Sequence, residues 1–336
     1  MRVAIVGAGA WGTALAVHLS AHAHAAPQVT LCFRDATQAR DAAQRRENLR
    51  YLPGIGLPPA LAVAPDACCV RDVDAIIVAT PVAALESVVT ELAAYGAGAP
   101  LLWLCKGFIE SVRAPGGAWL AHQAIAPRWP AAVGVISGPS FADEVARALP
   151  TALAVAATDP ALAHGAAKLL RADTLRAYET DDIIGVEVGG AVKNVLAIAA
   201  GASDGLGFGN NARAALITRG LAEMSRLAVA LGGRRETMMG LAGLGDLALT
   251  CTGDLSRNRR VGLALAGGES LDSIVARLAH VAEGIGAARA ARALASYLGI
   301  DMPVTQAVHR VLHEGVGVRD AVESLLRREP RREDAP

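Results

Sequence analysis

Apolar and polar positions alternate in two different ways along this chain, and the change comes near residue 185. Before it, short apolar runs at 3–6, 29–33, 75–79, 101–105, 133–137 and 152–156 alternate with segments of helical period at 11–22, 37–46, 82–94 and 161–170. Runs this short, predominantly apolar and bounded by turn-forming or polar residues, read as strands buried on both faces. Strands that alternate with helices predict a parallel sheet covered by helices and joined by right-handed crossovers. The expected class is therefore α/β, a doubly wound sheet of the Rossmann type. The Pro- and Gly-rich stretch 51–59 reads as a loop.

After about Gly185 the strand signal disappears, and alanine-rich segments of helical period continue to about residue 327, interrupted by glycine-bearing turns at 205–209 and 243–245. The predicted division is an α/β domain over 1–184, an all-helical domain over 185–327 and a disordered tail over 328–336. In that tail arginines and acidic residues mix without apolar periodicity, as at a frayed, solvated end.

Composition narrows the function classes. A chain of 336 residues, 53% hydrophobic and 19% charged, buries a large core and is neither disordered, collagenous nor a coiled coil. Its 32 basic residues balance 32 acidic ones and aromatics are only 4%, so the overall positive field and stacking platform of a nucleic-acid binder are missing. No uninterrupted apolar run reaches the ~18–20 residues of a membrane span. Five cysteines, an odd number with no C-x-x-C pair, point to a reducing cytosol where thiols act as small apolar residues. Arg2, the apolar stretch after it and Ala21-His22-Ala23 have the outline of a secretory leader. Gly7, Gly9, Gly12, Thr13 and His18 interrupt that stretch and fit another motif better.

That motif is Gly7-Ala8-Gly9-Ala10-Trp11-Gly12, which follows a buried strand and opens a helix near Ala10. In this context G-x-G-x-x-G is a dinucleotide fingerprint. Gly7 permits the tight turn, Gly9 lets the backbone approach a pyrophosphate, and Gly12 lets helix and strand pack closely. The pyrophosphate meets the free N–H groups at the positive end of the helix. Where the second strand ends, Arg34 precedes Asp35. A guanidinium there suits an adenosine 2′-phosphate, whereas Asp35 would suit a bare ribose. The expected cofactor is NADP(H), with NAD(H) also used.

Of the 32 cationic residues 29 are Arg and three are Lys, at Lys106, Lys168 and Lys193. A lysine kept in a chain that prefers arginine suggests a site needing a compact ammonium that can lose its proton. Lys106 follows an apolar run directly, which puts it at the carboxyl end of a strand, the edge where open α/β sheets bind ligands. Lys193 lies in an almost wholly apolar helix, where burial would push its proton off and make it a general acid/base, with Glu187 or Asp246 as possible ion-pair partners. Lys168 sits on an ordinary amphipathic helix and reads as surface.

Two segments offer anion sites. Ser137-Gly138-Pro139-Ser140-Phe141-Ala142 falls on the same sheet edge as Lys106 and either lines a site or caps a helix through Ser140 and Asp143. Asp254-Leu255-Ser256-Arg257-Asn258-Arg259-Arg260 gathers cations, an amide and a helix start, a combination that suits a single phosphate. His309 and His313 have the spacing of a metal pair, but no third ligand is evident, and helix surface is the simpler reading. No metal is expected.

Taken in order, the glycine loop, Cys105-Lys106-Gly107, the 137–142 segment, Gly189-Gly190-Ala191-Val192-Lys193-Asn194, Gly243-Leu244-Gly245-Asp246 and Ser256-Arg257-Asn258-Arg259-Arg260 resemble bacterial NAD(P)-dependent glycerol-3-phosphate dehydrogenases over nearly the whole length. The Gly-rich stretch 203–213 is similar to that family too. The resemblance implies reduction of dihydroxyacetone phosphate to sn-glycerol 3-phosphate by a cytoplasmic homodimer, for glycerophospholipid synthesis. It implies Lys193 as proton donor and acceptor and Lys106 as a contact of both substrate and cofactor. Gly138, Ser140, Asp246, Ser256, Arg257 and Asn258 would line the substrate site. Ala10, Trp11, Arg34, Ala142, Arg257, Val281 and Glu283 would face the dinucleotide. Two departures stand out: Ala10 replaces a serine frequent in the loop, which removes one phosphate hydrogen bond, and Cys105 replaces the more usual threonine before the lysine. Two other readings stay open, a related dehydrogenase acting on a small hydroxy acid and a nucleotide sensor that binds without turnover.

Overall fold

A computed structural model describes residues 1–278 and 282–327. The predicted tail at 328–336 lies outside the described residues. In chain order the strands are β1 (Arg2–Val6), β2 (Gln28–Cys32), β3 (Ala62–Ala64), β4 (Ala75–Val78), β5 (Leu101–Trp103), β6 (Ile109–Glu110), β7 (Ala118–Trp119), β8 (Val133–Ser137), β9 (Thr151–Ala157) and β10 (Leu175–Thr180). The helices of the first half are α1 (Ala10–Ala21), α2 (Ala36–Arg45), α3 (Leu85–Ala94), α4 (Ala121–Ile125), α5 (Ala142–Ala146) and α6 (Pro160–Leu170). Those that follow are α7 (Ile183–Gly205), α8 (Gly209–Ala230), α9 (Arg235–Met238), α10 (Asp246–Thr252), α11 (Arg257–Ala266), α12 (Leu271–Leu278), α13 (Glu283–Leu298), α14 (Pro303–His313) and α15 (Val318–Leu326). The chain divides into two compact units, Met1–Lys106 with Ala121–Val186, and Gly107–Leu120 with the residues from Glu187 onward.

The first unit is an eight-stranded sheet in the order β10-β9-β8-β5-β4-β1-β2-β3. From β3 through β8 all pairings are parallel. This stretch is the doubly wound order whose topological switch falls between β1 and β4, beside the carboxyl end of β1. Val3, Ile5, Ile76, Ile77, Leu101 and Leu102 are buried, so these central strands read as unbroken apolar runs. The expected parallel sheet departs from that pattern at one edge only: β9 pairs antiparallel with β8, and β10 then follows β9 in parallel through α6. The 82–94 helix also starts later than predicted, because Val82–Ala84 forms a separate 3-10 turn after Pro81.

The second unit is built around α7, with one small exception to its helical character. Residues 107–120 carry the two-stranded antiparallel pair β6–β7, which packs on α13. Among the described residues α7 alone is long and apolar enough to cross a membrane, and 89% of its most apolar window is buried inside the protein. It is a core helix. Helix α11 crosses it backbone to backbone: a Cβ on Gly201 would lie 1.9 Å from the Arg259 carbonyl oxygen, and one on Gly262 would lie 2.0 Å from that of Ile198. This crossing fixes the start of α11 against α7.

Candidate active site

The glycine loop has a different reason for each of its glycines. Gly7 has φ +112, and a Cβ there would sit 2.9 Å from the Ala79 carbonyl carbon and oxygen. On Gly12 it would meet the Gly7 oxygen at 1.9 Å, so these two positions are closed by the protein itself. Above Gly9 nothing lies within 4 Å. Gly9 is the N-cap of α1 and supplies no side chain to its first N–H groups. Open space at an uncapped helix start fits a dinucleotide pyrophosphate. Ala10 and Trp11 form the first turn of α1, and Trp11 and Ala142 pack on the same core cluster, where α5 lies against α1. Asn48, which carried no sequence signal, is buried and clamps the loop, donating to the Ala8 carbonyl at 2.9 Å and the Thr13 hydroxyl at 2.8 Å.

At the end of β2 the two candidate ribose ligands separate. Asp35 is the N-cap of α2: it accepts from the N–H groups of Thr37 at 2.8 Å and Gln38 at 3.1 Å, and from the Gln38 amide at 3.1 Å. Those bonds hold its carboxyl below the usual range. Arg34 is exposed beside it.

Three residues named from the sequence meet at the carboxyl edge of the same sheet. Lys106 Nζ donates to the Gly138 carbonyl at 3.1 Å, and the Ser140 hydroxyl donates to that same oxygen at 3.0 Å. Gly138 has φ +129 and packs against the Leu153 backbone, a position closed to side chains. The capping role weighed for Ser140 is corrected, because Phe141 occupies the N-cap of α5 and Asp143 pairs instead with Arg147 at 2.8 Å. Lys168 is exposed, as expected.

In the helical unit Lys193 is buried and has Asp246 as its partner. Its Nζ donates to Asp246 Oδ1 at 2.6 Å and to the Thr250 hydroxyl at 2.9 Å. Two features bring these groups together. Residues 241–245 wind as a π-helix that delivers Asp246 at the head of α10, and Thr250 follows one turn later. Gly189, one turn before Lys193 on α7, lets the π-helix approach, since a Cβ there would lie 2.3 Å from the Ala242 oxygen. Thr250 was missed in the sequence; its only signal is the i, i+4 spacing from Asp246.

The next residue of α7, Asn194, anchors the phosphate candidates at the start of α11. Asn194 accepts from Asn258 Nδ2 at 2.9 Å, and Asn258 Oδ1 accepts from the Gly284 N–H at 3.1 Å. Asn258 thus uses its oxygen and one N–H inside the unit. Ser256 caps α11, its hydroxyl accepting the Arg259 N–H at 3.2 Å. Arg259 is tied to Asp204 at 2.8 Å and Asp254 at 3.0 Å, and Arg260 donates to the Asp254 carbonyl at 2.9 Å. Arg257, by contrast, is exposed at the first position of α11. Glu283 opens α13, beside the Asn258–Gly284 bond, and Val281 lies outside the described residues. The helix-surface reading of His309 is corrected: it is buried, while His313 bonds the Ile285 carbonyl at 3.0 Å. No metal-holding group of His, Cys, Asp and Glu occurs among the described residues.

A family model described as the N-terminus of NAD-dependent glycerol-3-phosphate dehydrogenase matches residues 2–163, and its C-terminal counterpart matches 182–323. The glycerol-3-phosphate dehydrogenase (NAD(P)+) of Aromatoleum aromaticum is 55% identical over 99% of this chain and 100% of its own length. The chain belongs to the NAD-dependent glycerol-3-phosphate dehydrogenase family. It is an NAD(P)-dependent oxidoreductase. The glycerol-3-phosphate dehydrogenase of Cupriavidus necator is 54% identical over 99% of this chain and all of the relative. The crystal structure of the Coxiella burnetii glycerol-3-phosphate dehydrogenase superposes with a TM-score of 0.90 at 41% identity, covering 97% of this chain and 99% of that one.

Proposed function

We propose that this chain reduces dihydroxyacetone phosphate to sn-glycerol 3-phosphate, preferring NADPH over NADH, in the cytoplasm and as a homodimer. The observation that carries the proposal is the buried Lys193 ammonium held 2.6 Å from Asp246 on the helix that also anchors Asn258 through Asn194. When bound, the dihydronicotinamide supplies the hydride to the ketone carbon.

Lys193 gives a proton to the oxygen that becomes an alkoxide, and Asp246 with Thr250 holds its Nζ in place for that transfer. Lys106, fixed by the Gly138 carbonyl and flanked by Ser140, offers positive charge to substrate and cofactor. Arg257 and the N–H groups at the start of α11, with the remaining N–H of Asn258, bind the substrate phosphate. Asp35, engaged as a helix cap, leaves Arg34 to meet the adenosine 2′-phosphate. The resulting sn-glycerol 3-phosphate supplies glycerophospholipid synthesis.

The test is kinetic. Lys193→Ala lowers turnover by roughly 10²- to 10⁴-fold, and Lys193→Arg fails to restore it, since a guanidinium keeps its proton. Arg257→Ala raises KM for the phosphate ester by about tenfold or more. Near-normal turnover in Lys193→Ala overturns the proton assignment, and light scattering of the purified protein decides the homodimer.

A further inference from the structure

A second reactive pair is formed by two cysteines of the first unit. Cys32 ends β2, Cys69 lies in the helical turn Cys68–Asp72, and their sulfurs are 3.4 Å apart. Cys32 is pinned in the sheet, in register with Val6 of β1 on one side and Ala64 of β3 on the other. Its carbonyl accepts the Gly7 N–H at 3.1 Å, so its backbone is one hydrogen bond from the glycine loop and two residues from Arg34.

The two thiols differ in the way a redox pair requires. Cys32 is buried, whereas Cys69 is half-buried. The hydrogen bond with Cys32 brings the Cys69 thiol down to about 7, so it is substantially thiolate at neutral pH. Buried Cys251 is pushed up to about 12 by desolvation and is inert by comparison. A disulfide needs its sulfurs at about 2.05 Å, so closure asks for a movement on the order of 1 Å next to a strand that cannot easily follow.

We propose that Cys32 and Cys69 are a peroxide-oxidisable dithiol, and that its closure to a disulfide weakens dinucleotide binding at the adjoining glycine loop. The Cys69 thiolate attacks a peroxide oxygen; the S–O bond forms, the O–O bond breaks, and hydroxide leaves and is protonated to water. Cys69 is now a sulfenic acid, oxidised by the two electrons that reduced the peroxide. The Cys32 sulfur then attacks Cys69, forming S–S and breaking S–O, and its proton leaves with the hydroxide as a second water. The effect on cofactor rests on the assignment of residues 7–12 to the dinucleotide, while the disulfide itself does not.

The full chain is treated with hydrogen peroxide at pH 7, then read by intact mass, peptide mapping and NADPH titration. The expected result is loss of two hydrogens, a Cys32–Cys69 cross-linked peptide and a roughly three- to tenfold weaker NADPH affinity, the scale of one strained side chain. Dithiothreitol reverses all three. Cys69→Ser keeps its NADPH affinity through the treatment, and Cys68→Ser still cross-links. A cross-link through Cys68, or Cys69 oxidised with no cross-link, overturns the pair. A Cys32–Cys69 cross-link with unchanged NADPH affinity overturns the coupling, and reduced protein that binds no NADPH counts instead against the glycine-loop assignment.

Discussion

The Lys193 ammonium lies 2.6 Å from the Asp246 carboxylate with the two side chains only 9% and 1% exposed. Burying either charge alone is costly, so each is tolerated because the other is there. Asp246→Asn keeps the volume and removes the anion. The expected loss of stability is about 3–5 kcal/mol, read by urea unfolding, together with a fall in turnover. An unfolding curve unchanged from wild type would mean that the pair is not what holds Lys193 in the helical unit.

Arg34 and Asp35 make opposite predictions for the two cofactors. Arg34→Ala should weaken NADPH by about tenfold or more while leaving NADH nearly unchanged, because only NADPH carries the 2′-phosphate. Asp35→Ala should cost about 1 kcal/mol of stability as a lost helix cap, without loss of NADH affinity. Isothermal titration with both dinucleotides checks both. A large NADH defect in Asp35→Ala would show that Asp35 binds ribose after all.

Glu223 supplies a pH dependence outside the site. Its buried carboxyl accepts from the N–H groups of Val304 at 2.6 Å and Thr305 at 3.0 Å, closing the start of α14. Desolvation, opposed by those bonds, raises it from the ordinary 4.5 to about 7. A raised folded-state value means the folded protein holds the proton more tightly. The contribution is therefore complete below about 4.5 and is lost as pH rises through about 7. At about 1.36 kcal/mol per unit it is on the order of 3 kcal/mol. Unfolding free energies measured from pH 5 to pH 8 should fall relative to those of Glu223→Gln, whatever the absolute stability of the variant. Parallel curves for the two proteins would contradict the assignment.

The parts of this fold legible in the sequence are those where burial leaves a local mark. Strands covered on both faces, such as β1 and β4, become unbroken apolar runs, and the glycine loop must follow one of them. β10 was invisible because it is an edge strand whose Arg176, Tyr178 and Glu179 face solvent. β3, at the opposite edge, is only three residues long. The reversal at β9 depends on which neighbour a strand finds, which its own residues do not record.

In the site, composition and helix context singled out Lys193, but Glu187 and Asp246 were equal candidates for its partner. The choice is made by the π-helix at 241–245 and its approach to Gly189, a relationship spanning more than fifty residues of chain. Ser140 had the sequence of an N-cap, yet its hydroxyl turns back to the Gly138 carbonyl one residue before the N-cap position, which Phe141 takes. Asn48 acts on the glycine loop across a separation of 40 residues from Ala8, beyond the reach of any local pattern.

The most direct measurement follows NADPH absorbance with purified protein and dihydroxyacetone phosphate, with unphosphorylated dihydroxyacetone and a panel of oxo acids in parallel. Rapid oxidation with the phosphate ester alone is the predicted result. Oxidation only with an oxo acid, or cofactor binding with no turnover on any of these compounds, would contradict it.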